Sequence, residues 1–264
     1  FPLAGGGVHA QKTPSQNVRQ SLLAILEQRP QQLDAQWLLN LVSMAAGDYP
    51  AAVPEAYRLP PDSLRSDLAI GRFVDVAPRL GLDAFNLCGG AFVEDFNNDG
   101  FLDIATSTSD PRGHLICYRN RGDGTFADVS SAAGLDSQLG GLNCIGADYD
   151  NDGDVDVLVL RGAWMGANGE IRNSLLRNDG GSPAKFVDVT RAAGLAEPAS
   201  PTQAAAFGDF DLDGDLDLFI GNESDGAGKH YPSQLFRNNG DGTFSDVAQP
   251  AGVANARLAK GVAA

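Results

Sequence analysis

The chain has 264 residues, 43% of them hydrophobic, with 34 acidic and 19 basic side chains and a formal net charge of −15. That apolar share can build a core, so the chain is not a solvated acidic tail. The charge excludes nucleic acid or an anionic membrane surface as the main partner, and no basic stretch offsets it. No apolar run reaches the roughly 18 residues of a membrane span, so no membrane insertion is expected. The chain opens on "FPLAGGGVHA" with no methionine and no charged and apolar leader, which is compatible with a signal peptide upstream. Cys88, Cys117 and Cys144 form no CxxC pair, and an odd count cannot pair fully within one chain. They read as buried small hydrophobes.

Residues 15–29, "SQNVRQSLLAILEQR", carry Val18, Leu22, Leu23, Ile25 and Leu26 at helical spacing, and Pro30 stops the run. A second helix is expected in "DAQWLLNLVSMAAG", with Asp34 as N-cap, Trp37, Leu38, Leu41 and Met44 on one face, and Gly47 as the C-terminal stop. The order Trp37, Asn40, Leu41, Gly47, Asp48, Tyr49 resembles a tetratricopeptide helix, although fewer than two repeats are present. The Pro- and Ala-rich "YPAAVPEAYRLPPDS" then leads to a boundary near residue 66, giving a helical segment and linker over 1–66 and a second domain over 67–264.

Beyond this boundary the sequence repeats itself. "RFVDVAPRLGL" (72–82), "TFADVSSAAGL" (125–135), "KFVDVTRAAGL" (185–195) and "TFSDVAQPAGV" (243–253) place Phe73, Phe126, Phe186 and Phe244 at nearly even intervals. Before three of them stand "YRNRGDG", "LRNDGGSPA" and "FRNNGDG", whose Asn and Gly supply the positive φ of a tight hairpin; Gly181 to Ala184 lengthen the second of these turns. Each unit also holds an acidic loop between a short strand of small and aromatic residues and an apolar one. The unit reads as strand, acidic loop, strand, connection, strand, tight turn, strand. Four short strands per repeat predict a mainly β fold: a partial β-propeller of about three four-stranded blades with calcium loops, preceded by a small α-helical hairpin.

The loops are "DFNNDGFLD" (95–103), "DYDNDGDVD" (148–156) and "DFDLDGDLD" (209–217). Side-chain oxygens at the first, third, fifth and ninth positions can converge because the glycine at the sixth allows a sharp turn, and the seventh residue lends its carbonyl. The candidate ligands are Asp95, Asn97, Asp99, Phe101 and Asp103 in the first loop. They are Asp148, Asp150, Asp152, Asp154 and Asp156 in the second, and Asp209, Asp211, Asp213, Asp215 and Asp217 in the third. All are oxygen donors, which suits Ca²⁺ with its six to eight hard ligands and not zinc, and Mg²⁺ seldom uses an all-protein cage. About three ions are expected, one per loop. An EF-hand needs a glutamate at the twelfth position, where Thr106, Val159 and Ile220 stand. Thirteen of the 34 acidic residues lie in the loops, which leaves 21 against 19 basic ones. Nearly all of the negative excess therefore sits where a cation would neutralise it.

"DYDNDGDVDVLV" together with "LFRNNGDGTFSDVAQPAGV" resembles the FG-GAP/VCBS repeats of integrin-α-like propellers. Over residues 72–264 the chain is more closely similar to the ASPIC/UnbV, cartilage-acidic-protein-like family; the ASPIC/UnbV domain itself is absent from it. The resemblance implies a calcium-stabilised extracytoplasmic propeller (extracellular, periplasmic or on the outer cell surface) that serves adhesion or binds an unknown protein or glycan ligand. It also implies that the metal loops are chiefly structural. Asn97 stands where the other two loops have Asp, so the first site is expected to be the weakest.

Three blades do not close a ring. "RFVDVA" matches a blade's outer strand, and "KGVAA" aligns with the strand that precedes each acidic loop, so an incomplete ring with missing blades is expected. His9, His114 and His230 have no nucleophile and acid pattern around them, which favours a non-catalytic scaffold. Asn222, Glu223 and His230 could gather at a loop rim, and Trp164 falls in a long connection. The alternative is a fragment of a propeller enzyme, a polysaccharide lyase or a quinoprotein-like dehydrogenase, whose site lies in other blades.

Overall fold

The computed structural model describes residues 8–9, 11–60, 73–84, 86–163, 165–224 and 228–263, and the chain divides into two compact units, 1–73 and 74–264. Trp164 and part of the linker lie outside the described residues.

In the first unit α1 (Thr13–Gln28) packs on α2 (Leu33–Ala46). Leu22 and Leu26 meet Ala35, Leu39 and Val53 in a small core. The second helix differs from expectation at its start and on its face. Gln32 occupies the N-cap with no side-chain cap bond, and Asp34 lies in the first turn, where its charge suits the helix dipole. Ala35, Leu39, Asn40, Ser43, Met44 and Ala46 are buried, so Met44 packs as expected, while Trp37 and Leu38 are exposed. Gly47 ends the helix in the left-handed conformation as expected, at φ 75°. Asn40 closes the unit: its amide donates to Tyr57 O at 2.7 Å, and Leu59 N donates to its Oδ1 at 3.1 Å.

The second unit is a partial β-propeller of three four-stranded antiparallel sheets, each in sequence order. Blade one holds β1 (Ala91–Glu94), β2 (Asp103–Thr106), β3 (Ile116–Asn120) and β4 (Phe126–Asp128). Blade two holds β5 (Asn143–Ala147), β6 (Asp156–Leu160), β7 (Ser174–Asn178) and β8 (Phe186–Asp188). Blade three holds β9 (Thr202–Gly208), β10 (Asp217–Asn222), β11 (Gln234–Asn238) and β12 (Phe244–Asp246). A short helix, α3 (Ala77–Leu80), precedes them. The expected outer strand at 72–77 is not formed over its described part, because among the described residues no strand pairs with 73–76 to supply ladder hydrogen bonds.

The blades stack through apolar faces. Phe96, Ala105, Cys117, Ala133 and Leu135 of blade one pack on Val157, Val159, Leu176 and Phe186 of blade two. One repeat later Tyr149, Leu158, Leu175, Ala193 and Leu195 pack on Leu218, Ile220, Phe236 and Phe244. The aromatic residue at the second loop position meets the repeated phenylalanine of the next blade: Phe96 and Phe186 ring centroids lie 5.7 Å apart, as do those of Tyr149 and Phe244. Backbone bonds tie the same junctions, with Phe186 N donating to Ala133 O at 3.0 Å and Phe244 N to Ala193 O at 2.9 Å. Near the inner strands a Cβ on Gly146 would fall 2.4 Å from the Phe92 ring, so only glycine permits that approach. Cys117 and Cys144 are buried in the first junction, as expected of small hydrophobes, whereas Cys88 is exposed.

Candidate metal centres

Each acidic loop joins the first two strands of its blade, β1 to β2, β5 to β6 and β9 to β10. The same turn forms three times. The first aspartate accepts two successive backbone N–H groups: Asp99 N and Gly100 N reach Asp95 at 3.0 and 2.7 Å, Asp152 N and Gly153 N reach Asp148 at 3.1 and 3.0 Å, and Asp213 N and Gly214 N reach Asp209, both at 3.1 Å. The fifth-position carboxylate then accepts the N–H of the seventh residue, Phe101 to Asp99 at 3.0 Å, Asp154 to Asp152 at 2.9 Å and Asp215 to Asp213 at 2.9 Å. Two residues per loop take positive φ, the fourth (Asn98 54°, Asn151 58°, Leu212 63°) and the sixth (Gly100 87°, Gly153 91°, Gly214 97°). A Cβ on those three glycines would meet nothing within 4 Å, so backbone conformation and not space selects glycine there.

The ninth-position aspartates are buried and anchored from behind. Asp103, Asp156 and Asp217 accept Asn120 N at 2.7 Å, Asn178 N at 2.8 Å and Asn238 N at 2.8 Å, from the end of the third strand of each blade. Asp156 and Asp217 also accept Tyr149 N and Phe210 N, each at 3.1 Å. Among the described residues, two sets of carboxylates bring ligand oxygens within 4.8 Å of one another: Asp148, Asp150 and Asp156, and Asp209, Asp211 and Asp217. In the first loop the third position is the neutral Asn97, whose amide donates to Asp99 Oδ2 at 3.0 Å.

The donors fit a hard divalent cation. Asp150 Oδ1 is buried and has no hydrogen-bond partner, although an isolated buried carboxylate oxygen is costly. Burial, then Asp152 and Asp148, push the Asp150 carboxyl above its ordinary value. Burial pushes Asp156 up to about 7 against the lowering by its bonds from Asn178 and Tyr149, with Asp150 and Asp152 adding to the rise. Burial likewise raises Asp103, and desolvation followed by the charges of Asp213, Asp217 and Asp209 raises Asp211. Arg177 offsets the rise at Asp150 only in part, and a bound cation would reverse the sign of the local field. The seventh-position side chains do not join these clusters. Asp154 Oδ1 accepts Asn98 Nδ2 at 2.7 Å, and Asp215 Oδ1 accepts Asn151 Nδ2 at 2.8 Å. Phe101 instead lays its ring beside Gly122, in the β3–β4 turn of its own blade.

Sequence reasoning missed the asparagines of the "YRN", "LRN" and "FRN" segments beyond their turn chemistry. Asn178 is fully buried and donates to Phe96 O of the preceding blade at 2.8 Å, and Asn238 donates to Tyr149 O at 2.8 Å. Their Oδ1 atoms accept Gly180 N at 3.0 Å and Gly240 N at 3.1 Å. The recurrence of Asn at the same place was the available signal. The three residues named for the loop rim differ in exposure. Asn222 and Glu223 are buried, while His230 is exposed. Asn222 is used internally, accepting Thr202 Oγ1 at 2.7 Å and donating to Pro232 O at 2.8 Å, and Glu223 pairs with Lys260 at 2.5 Å.

The model of the FG-GAP-like repeat matches residues 95–159 and 209–264, and these two stretches take in all three acidic loops. The chain therefore carries FG-GAP-like repeats over those residues. Its relatives include cartilage acidic protein 1 of Xenopus tropicalis, 32% identical over 164 residues (61% of this chain, 24% of that protein), and of Homo sapiens, 31% identical over 182 residues (68% and 26%). The mouse protein is 28% identical over 181 residues (68% and 27%). The chain thus spans about a quarter of the length of these curated relatives. No helix among the described residues is long and apolar enough to cross a membrane.

Proposed function

We propose that this chain is a calcium-binding propeller scaffold that acts outside the cytoplasm by holding a protein or glycan ligand, with no catalysis of its own. The observation that carries the reading is the pair of carboxylate clusters, one of which keeps Asp150 Oδ1 buried without a partner. Calcium would be held by Asp148, Asp150, Asp152 and Asp156 with the Asp154 carbonyl in the second loop. Asp209, Asp211, Asp213 and Asp217 with the Asp215 carbonyl would hold it in the third. The first loop, with Asp95, Asn97, Asp99, Asp103 and the Phe101 carbonyl, carries one charge fewer and binds most weakly. Bound calcium supplies the positive charge that lets these carboxylates sit together, so the turn and the two strands it joins become one unit.

Sites built from a single loop bind in the range of extracellular modules, on the order of 10⁻⁴ to 10⁻³ M. Such affinity is useful where calcium is millimolar, which supports a place outside the cytoplasm, as does the likeness to proteins named for cartilage. The engagement of Asn222 and Glu223 in internal bonds supports a scaffold over an enzyme. The test is a calorimetric titration with Ca²⁺ and, separately, Mg²⁺. Saturable Ca²⁺ binding that EDTA reverses and Mg²⁺ does not reproduce is expected. Heats indistinguishable from dilution up to several millimolar would refute the reading.

A further inference from the structure

The acidic loops are joined to one another by side chains that are not candidate ligands. Asn98, fourth in the first loop, donates Nδ2 to Asp154 Oδ1, seventh in the second, at 2.7 Å, with Gly153 O at 3.5 Å. Asn151, fourth in the second loop, donates to Asp215 Oδ1, seventh in the third, at 2.8 Å. The same bond therefore spans both blade junctions. The donors stand in the left-handed conformation at φ 54° and 58°, which asparagine tolerates better than most residues and which throws the side chain toward the following blade.

The receiving aspartates are held on their other side as well. A Cβ on Gly180 would fall 2.9 Å from Asp154 Oδ2, and one on Gly240 would fall 2.9 Å from Asp215 Oδ2, so each carboxylate is lodged against the hairpin turn of its own blade. At the two outer ends the pattern stops in apolar residues. The receiving position of the first loop is Phe101, and the donating position of the third is Leu212, exposed at φ 63°.

We propose that Asn98 and Asn151 are positioning residues that link the cation sites of successive blades, so that filling one loop raises the affinity of the next. This rests on the calcium reading above. A cation in the second loop fixes the turn that carries Asn151. Asn151 then fixes Asp215, whose N–H already holds Asp213 Oδ1 at 2.9 Å and whose carbonyl is assigned to the third site. Ordering one loop thus removes part of the ordering cost of the next, which is positive coupling, and linkage makes it act equally in both directions. The bond from an amide to a charged carboxylate belongs to the stronger class, so it can carry such a coupling.

The test reads the second loop alone. Tyr149 lies between Asp148 and Asp150, so terbium bound there is sensitised by the tyrosine, and calcium displaces it. Asp211→Asn with Asp213→Asn empties the third loop. In the otherwise unchanged chain this is expected to weaken terbium and calcium at the second loop by about fivefold or more. In an Asn151→Leu background the same pair of substitutions is expected to change it less than about twofold. Leucine is the replacement because Leu212 holds the equivalent backbone conformation. An equal loss in both backgrounds, or no loss in the first, overturns the link while leaving the calcium reading intact. A complete lack of sensitised emission and of calcium binding overturns both.

Discussion

Four donor bonds converge on Asp188. Arg172 approaches through Nη1 and Nη2 at 3.2 and 2.8 Å, and Thr190 through its backbone N and Oγ1 at 3.1 and 2.5 Å. Burial alone would raise this carboxyl, but the bonds from Arg172 and Thr190 outweigh it and hold it down at about 2. A depressed value stabilises the fold above the unfolded value near 3.8 and loses that contribution as pH falls through about 2. Asp188→Asn should therefore cost about 1 to 3 kcal/mol near neutral pH. The difference should shrink toward zero in melts taken at progressively lower pH, because a protonated aspartate and an asparagine are near isosteres. A gap that stays constant with pH would show that the charge is not the source. Asn178→Ala should cost about 2 to 4 kcal/mol, since it leaves Phe96 O and Gly180 N without their buried partner; chemical denaturation of the variant measures it. The repeat exposed both residues in the sequence, but not what they hold. Arg172 reaches Asp188 across a strand pair, and Asn178 reaches into the preceding blade, and no spacing rule within a repeat encodes either contact.

The blade faces show what the repeat encodes. Leu158 in β6 is buried between blades two and three, and the equivalent position in β10 is Phe219. Phe219 lines an apolar cavity of 410 Å³ with Phe210, Leu235, Val253 and residues 261–263. The positions that make the two blade junctions are on the third blade only partly covered, by residues 259–263. Leu158→Ala should thus cost about 2 to 5 kcal/mol through a buried cavity, whereas Phe219→Ala should cost less than half as much, as urea denaturation of the two variants will show. Equal costs would mean that the third blade's face is as closely packed as the second's. All twelve strands and the three tight turns were legible, because alternation, Asn-Gly turns and the Phe-x-Asp-Val segments repeat in phase. The helix face was not. Trp37 and Leu38 look like core residues by hydrophobicity alone, yet both are exposed, whereas Ala35, Leu39, Ser43 and the expected Met44 are buried. The segment before α3 shows the converse: it matches the strand sequence of β4, β8 and β12, but among the described residues no strand pairs with it.

At the scale of the molecule, nearly all of the chain's negative excess lies in three turns that each join the first two strands of a blade. Without a cation this arrangement opposes folding by mutual repulsion, and with one it fastens the blade, so stability should follow calcium more closely than salt in general. A ligand at about ten times its dissociation constant contributes on the order of 1.4 kcal/mol per site, which for a domain of this size corresponds to a few degrees for each filled loop. The most direct measurement is the melting temperature of the chain in millimolar calcium against EDTA at matched ionic strength, repeated for Asp150→Asn with Asp211→Asn. The account predicts a rise of about 5 °C or more in the unaltered chain and the loss of most of that rise in the variant. A melting temperature that is the same in calcium and in EDTA would contradict it.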